Sequence, residues 1–279
     1  MKLAKRLLEV YRENKIEETL KESDSWEMLY HLSPMRQNLL EWYEINDGVT
    51  VLEIGAEAGG LTDFWATRAD SVVALEIDEE FLSVNQEKNK EFSNIDFRVG
   101  TINAIKETEK FDYITLIGTL EKGFMYCESA EPFDELLKIC KKHLTEDGTI
   151  IIAGDNKTGM RYWAGAPENS SEVPFTGITS DVDVRAKRSF SKTQYENMLE
   201  NAGFKDVEFY YPTPDYRFVS SVFSDDYLPQ EGELRPGNGV YVAGGYQFFE
   251  EDLAYDTVCR DGEYPYFAES FLIFAKNSK

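Results

Sequence analysis

Short apolar runs rich in β-branched residues recur along the chain, and between them the apolar positions fall at helical spacing. TVLEI at 50–54, SVVALE at 71–76, IDFRV at 95–99, FDYITLIG at 111–118 and GTIIIAG at 148–154 read as buried strands. VEFYY at 207–211 and SFLIFA at 270–275 read as a sixth and a seventh. The stretch 78–91 offers Phe81, Leu82 and Val84 as the inner side of a helix. The stretch 131–143 offers Phe133, Leu136, Leu137 and Ile139. Ser191 and Gln194 have capping-box spacing for a helix over 194–201, which Gly203 stops. Strands alternating with helices predict a doubly wound, mostly parallel α/β sheet of seven strands.

Ahead of the first strand, Leu3, Leu7, Val10, Tyr11, Ile16 and Leu20 predict one amphipathic helix over 1–22. Ser33-Pro34 then caps a second helix, over 34–43. Residues 1–46 are accordingly an N-terminal helical segment, and 47–279 the main domain. Polar and aromatic residues over 155–190 and 212–269 are too long for ordinary αβ loops and read as two insertions forming a cap. They sit after strands five and six, on the carboxyl edge of the sheet where ligands bind.

Composition narrows the partners. Fifty-two acidic against 29 basic residues give a net charge of −23, which repels phosphate backbones and anionic lipid, so nucleic acid is not expected. No run approaches the roughly 18 apolar residues of a membrane helix, and the amino terminus has no signal-peptide core. Cys127, Cys140 and Cys259 lack metal-type spacing and read as reduced thiols of a cytoplasmic protein with no metal.

Two features carry chemistry. GAEAGG at 55–60 forms a glycine turn between strand and helix, which brings backbone N–H groups to a ligand. Glu76 ends the second strand, 21 positions beyond Gly55, where a carboxylate accepts hydrogen bonds from both ribose hydroxyls of an adenosine ligand.

Glu53-Ile-Gly55-Ala-Glu57-Ala-Gly59, Glu76, FDYITLIGTLE ending at Glu121 and the turn at 144–148 together resemble the class I S-adenosylmethionine-dependent methyltransferases, across roughly residues 47–211. The resemblance implies a Rossmann-like fold with S-adenosyl-L-methionine as cofactor. It implies that Glu53, Gly55, Ala56, Glu57, Gly59 and Gly118 surround the methionine portion, Glu76 and Ile77 the ribose, and Thr101 and Ile102 the adenine. The middle glycine is replaced by Glu57, which either meets the cofactor's ammonium group or turns into solvent.

NKxGxxYWAGAPE, followed downstream by PxPDYxF and SDxYLP, resembles a subgroup associated with bacterial capsule and surface-polysaccharide synthesis. That implies a carbohydrate or other small-molecule acceptor, methylated on oxygen, and leaves room for a glycosyltransferase partner. Asn156, Tyr162, Trp163 and Tyr216 would bind a sugar by hydrogen bonding and ring stacking. Packing of the insertions is the other reading for the aromatics. His31, in the segment expected to lie over the cofactor, is the candidate general base, with a capping histidine as its alternative. Glu121 is either catalytic or orients a neighbouring segment.

Two rivals stand beside the enzyme. A non-catalytic S-adenosylmethionine-binding module is suggested by Glu57. A nicotinamide-dependent sugar oxidoreductase would need Gly-x-Gly-x-x-Gly, which fails at 57, and neither Tyr195 nor another tyrosine supplies a convincing Tyr-x-x-x-Lys pair.

Overall fold

The computed structural model describes residues 2–168, 173–179, 185–234 and 247–277. Eight strands form one sheet in the order β3-β2-β1-β4-β5-β8-β6-β7. They are β1 Thr50–Ile54, β2 Ser71–Glu76, β3 Ile95–Val99, β4 Phe111–Ile117, β5 Leu144–Asp155, β6 Val207–Thr213, β7 Ser221–Ser224 and β8 Ser270–Lys276. The first five run parallel, β8 runs antiparallel to β5 and β6, and β7 is antiparallel to β6. The expected count of seven is therefore one short. The missed strand, β7, lies inside the second insertion, and its four residues, SVFS, have only Val222 and Phe223 to signal it.

Both faces of the sheet are covered, which is why the strands read as continuous apolar runs. Leu52, Ile54, Ile114, Leu116, Ile150 and Ile152 point into one core, while Val51, Tyr113, Ile151 and Ala153 point into the other. That alternation is the two-residue period of a strand. Helices α4 Thr62–Ala66, α5 Glu79–Lys88, α7 Pro132–His143 and α10 Lys192–Ala202 follow the strands. Ser191 and Gln194 make the reciprocal capping box, and Gly203 ends α10 with φ +87°. His143 lies buried in the last turn of α7, its Nδ1 3.0 Å from the Glu109 carbonyl oxygen.

The amino-terminal reading needs correction in two places. The single helix over 1–22 is two, α1 Leu3–Arg12 and α2 Ile16–Glu22, broken where Asn14 takes φ +54°. The helix over 34–43 is a short 3-10 turn, Pro34–Leu39. A further helix, α3 Trp26–Leu32, is capped by Ser25. Leu7, Val10, Met28 and Leu32 share a small core with Ala58 of the glycine turn and Val84 of α5. That core fixes α3 above the carboxyl ends of the strands. The two insertions, expected to form the cap, contain α8 Met160–Trp163, α9 Thr176–Thr179, α11 Glu251–Asp261 and α12 Tyr264–Phe267. The Gly244-Gly245-Tyr246 part of the second insertion lies outside the described residues.

Candidate functional site

Beyond β1 the chain turns through three left-handed residues, Gly55 at φ +80°, Glu57 at +46° and Gly59 at +82°. Packing explains the two glycines. A Cβ on Gly55 would lie 2.2 Å from Thr119 Oγ1, and one on Gly59 2.5 Å from Asn85 Oδ1. Glu57 is not a glycine, so its conformation is strained by roughly 1 kcal/mol or more. Three contacts hold it there. Its N–H donates to Glu76 Oε2 at 2.9 Å, and its carboxylate accepts from Tyr30 Oη at 3.2 Å and Lys122 Nζ at 3.0 Å. Burial pushes the Glu57 carboxyl up, but Lys122, His31 and Arg36 outweigh it and bring it down to about 2. Glu57 therefore ties the turn to α3 and to the segment after β4 while its partly exposed side chain borders the cavity beside the turn.

Against this turn lies a cavity with an empty volume of about 320 Å3, open solvent included, lined by Tyr30, His31, Arg36, Glu53, Glu57 and the backbone of Gly55 and Gly60. Arg36 is its most informative member. It is 6% exposed, its guanidinium lies 4.1 Å over the Tyr30 ring, and its Nε and Nη1 have no hydrogen-bond partner among the described residues. Gly60 makes room for it, since a Cβ there would sit 3.3 Å from Arg36 Nε. Glu53 accepts from Thr62 Oγ1 at 2.5 Å, and burial pushes its carboxyl up to about 8. Arg36 was not among the residues singled out from sequence. A lone cation between Pro34 and Leu39, beside the segment expected to cover the cofactor, was the available signal.

Glu76 is buried at the tip of β2. Its carboxylate accepts from the N–H of Glu57 at 2.9 Å, Ile77 at 2.8 Å and Asp78 at 2.9 Å, and from Tyr126 Oη at 3.3 and 3.4 Å. Thr101 precedes a 3-10 turn, Ile102–Ala104, in which Ile102 is buried in the core. Gly118 follows β4 with φ +66°, and a Cβ there would lie 2.7 Å from Tyr216 Oη.

His31 lines the cavity, its ring against Tyr30 and Phe81 at 4.9 and 5.2 Å. Burial lowers its pKa to about 4, so the imidazole is neutral at neutral pH. Glu121 does not line the cavity. It accepts from the Asp155 N–H, with Lys187 Nζ at 3.8 Å, and burial and then Asp155 push its carboxyl up to about 7. Of its two expected roles, this contact is the orienting one.

The cap residues are mostly enclosed. Asn156 donates to the Tyr266 and Ala268 carbonyls at 2.8 and 2.7 Å and accepts from Thr158. Tyr162 Oη accepts from Arg161 Nη2 at 3.1 Å. Tyr216 is buried, while Trp163 is 38% exposed. Packing, the alternative held open for these aromatics, describes Tyr162 and Tyr216.

Around them runs a buried ionic network with no counterpart in the sequence reading. Asp155 accepts from Arg161 Nη2 at 2.6 Å and from Arg217 Nη1 and Nη2 at 2.8 and 2.6 Å. Asp215 accepts from Arg217 Nη1 at 3.1 Å, and Glu269 Oε2 lies 3.3 Å from Arg161 Nε. Burial raises the Asp155 carboxyl, but the two arginines outweigh it and hold it well below its usual range. No cluster of metal-ligating side chains occurs among the described residues, and none of their helices is long and apolar enough to cross a membrane.

A family model described as a methyltransferase domain matches residues 45–209. A ribosomal RNA small subunit methyltransferase A from Syntrophus aciditrophicus is 35% identical over 82 residues, which is 29% of this chain and 27% of that protein. A protein of the same name from Streptococcus pneumoniae is 39% identical over 59 residues, 21% of this chain and 20% of its own. The chain thus spans about a quarter of the length of these curated relatives. A SAM-dependent methyltransferase from Archaeoglobus fulgidus superposes with a TM-score of 0.53 at 15% identity, over 95% of this chain and 99% of its own. A phosphoethanolamine N-methyltransferase from Haemonchus contortus, solved with phosphoethanolamine and S-adenosylhomocysteine, gives 0.51 at 15% identity, over 99% of this chain and 50% of its own. At such identities these two structures establish the fold.

Proposed function

The chain belongs to the methyltransferase domain family, with S-adenosyl-L-methionine as its cofactor, and from that premise we propose that it methylates a small-molecule acceptor, a carbohydrate hydroxyl of a surface-polysaccharide precursor. The observation that carries the donor half is Arg36. A buried guanidinium with two unpartnered nitrogens is unfavourable unless an anion completes it. The donor's carboxylate is an anion of the right size for a cavity beside a glycine turn, and Arg36 would hold it there. Glu57, kept ionised down to about pH 2, would meet the ammonium group in competition with Lys122. Glu76 would take the ribose, and Ile102 would flank the adenine.

When bound, S-adenosylmethionine supplies a methyl group activated by its sulfonium. The chain's own part is positioning and exclusion of water. Buried Ala56 and Leu61, with Ile117, give the cavity apolar walls that favour a dry site. His31, neutral above about pH 5, can accept the acceptor's hydroxyl proton as transfer proceeds.

The acceptor half rests on the sequence resemblance in the first insertion and on the half-exposed Trp163 ring, a flat face for a sugar. An RNA acceptor, named by the curated relatives, is opposed by the net charge of −23. Mass spectrometry of candidate glycans incubated with protein and isotope-labelled donor tests the proposal. A labelled glycan is expected, with Trp163→Ala raising the acceptor KM severalfold and leaving donor affinity unchanged. Label in RNA or in no glycan would refute the acceptor class.

A further inference from the structure

Glu76 is the residue on which the ribose assignment rests, and in this chain its carboxylate is already full. A carboxylate offers about four acceptor positions, two on each oxygen. Oε1 accepts from the N–H groups of Ile77 and Asp78, and Oε2 from that of Glu57. Tyr126 Oη reaches both oxygens, at 3.4 and 3.3 Å. The first three donors belong to backbone that cannot leave without unmaking the turn or the start of α5. Tyr126 is the one side-chain donor among the four, and its contacts are the longest.

We infer that Tyr126 competes with the donor's ribose for Glu76, so that the donor binds by exchanging the phenol for a ribose hydroxyl. The inference rests on the donor reading above. The exchange trades one hydrogen bond to a buried carboxylate for another, so the gain expected from Glu76 is largely offset. The phenol is always available as a donor, because burial and then Glu76 hold its proton firmly.

Tyr126 is also attached to something. It ends α6, Gly123–Tyr126, directly after the 3-10 turn Leu120–Lys122. Within those seven residues Glu121 accepts from the Asp155 N–H, Lys122 pairs with Glu57, and Tyr126 reaches Glu76. One short segment therefore touches the end of β5, the glycine turn and the ribose acid. Displacing its last side chain on donor binding pulls on the contacts made by the others, and so couples donor arrival to the edge of the sheet that carries the cap.

Tyr126→Phe keeps the ring in its apolar surroundings and removes only the hydroxyl, so the variant should fold, with a urea midpoint lowered by no more than the loss of one hydrogen bond. Calorimetry with S-adenosylhomocysteine should then show affinity about two- to tenfold tighter than wild type, the equivalent of one net hydrogen bond. Adenosine should show the same gain, and 2′,3′-dideoxyadenosine, which has neither hydroxyl, should show none. Unchanged or weakened S-adenosylhomocysteine affinity in a folded variant overturns the competition while leaving the donor site in place. Failure of wild type and variant alike to bind S-adenosylhomocysteine overturns the donor reading and this inference with it.

Discussion

The cavity beside the glycine turn and the ionic network of the cap stand on one edge of the same sheet, at the carboxyl ends of parallel strands, and both bury arginine. Their arginines are treated differently. Arg161 and Arg217 meet Asp155, Asp215 and Glu269 at 2.6–3.5 Å. Arg36 stacks on Tyr30, leaves Nε and Nη1 without a hydrogen bond and has no ion pair among the described residues, whereas Arg161 Nε, also without a hydrogen bond, lies 3.3 Å from Glu269 Oε2. A buried charge paired with carboxylates is held by the protein for the protein, and one with no ion pair among the described residues points to a guest. The contrast favours construction for the network and binding for the cavity.

The sharpest way to break that comparison is to remove the hub of the network. Asp155→Ala leaves two buried guanidinium groups short of their anion and should destabilise the protein by about 3–5 kcal/mol, read from urea denaturation. A loss below about 1 kcal/mol would mean that the network does not hold the cap.

On the cavity side, His31→Gln should lower kcat by roughly 10²-fold or more while leaving S-adenosylhomocysteine affinity intact, if His31 takes the acceptor proton. Its pKa near 4 further requires that the wild-type rate show no titration of this group between pH 6 and 8. A rate that rises through pH 6.5 in wild type but not in the variant would place the histidine in a wetter setting than the one seen.

A pH-dependent effect follows from Glu53, whose carboxyl is raised by burial to about 8. Folding therefore retains a proton that the unfolded chain releases near pH 4.5, so this contribution is fully present below that pH. It is lost as pH rises towards 8, by up to about 1.4 kcal/mol per pH unit. Comparing urea midpoints at pH 5.5 and 8.5 in wild type and Glu53→Gln checks this, since the variant should lose that part of the slope. Equal slopes would show that Glu53 is ionised in the folded protein.

The fold was legible in the sequence because burial on both sheet faces writes strands as apolar runs, and β1, β2 and β3 lie where those runs lie. Helix breaks were less legible. Asn14 interrupts an apolar period that continues across it, and the four residues of β7 are too few to show one. In the site, Gly55, Gly59 and Glu76 stood out because turns and strand tips depend on local sequence. Arg36, Tyr126 and Arg217 come from segments far apart in the chain, and nothing local to Arg217 says that it will face Asp155 62 positions away.

The central claim is that the cavity beside the glycine turn binds the donor through Arg36. Titrating S-adenosylhomocysteine into wild type and Arg36→Met in the calorimeter tests it most directly, with urea denaturation of both as the companion reading. The expected result is binding to wild type and a loss of roughly 2 kcal/mol, about 30-fold, in the variant. Stability should be unchanged or slightly higher, because an incompletely partnered charge has been removed. Equal affinity in the two proteins, or a variant destabilised by several kcal/mol, would contradict the claim and move Arg36 to the structural side of the comparison.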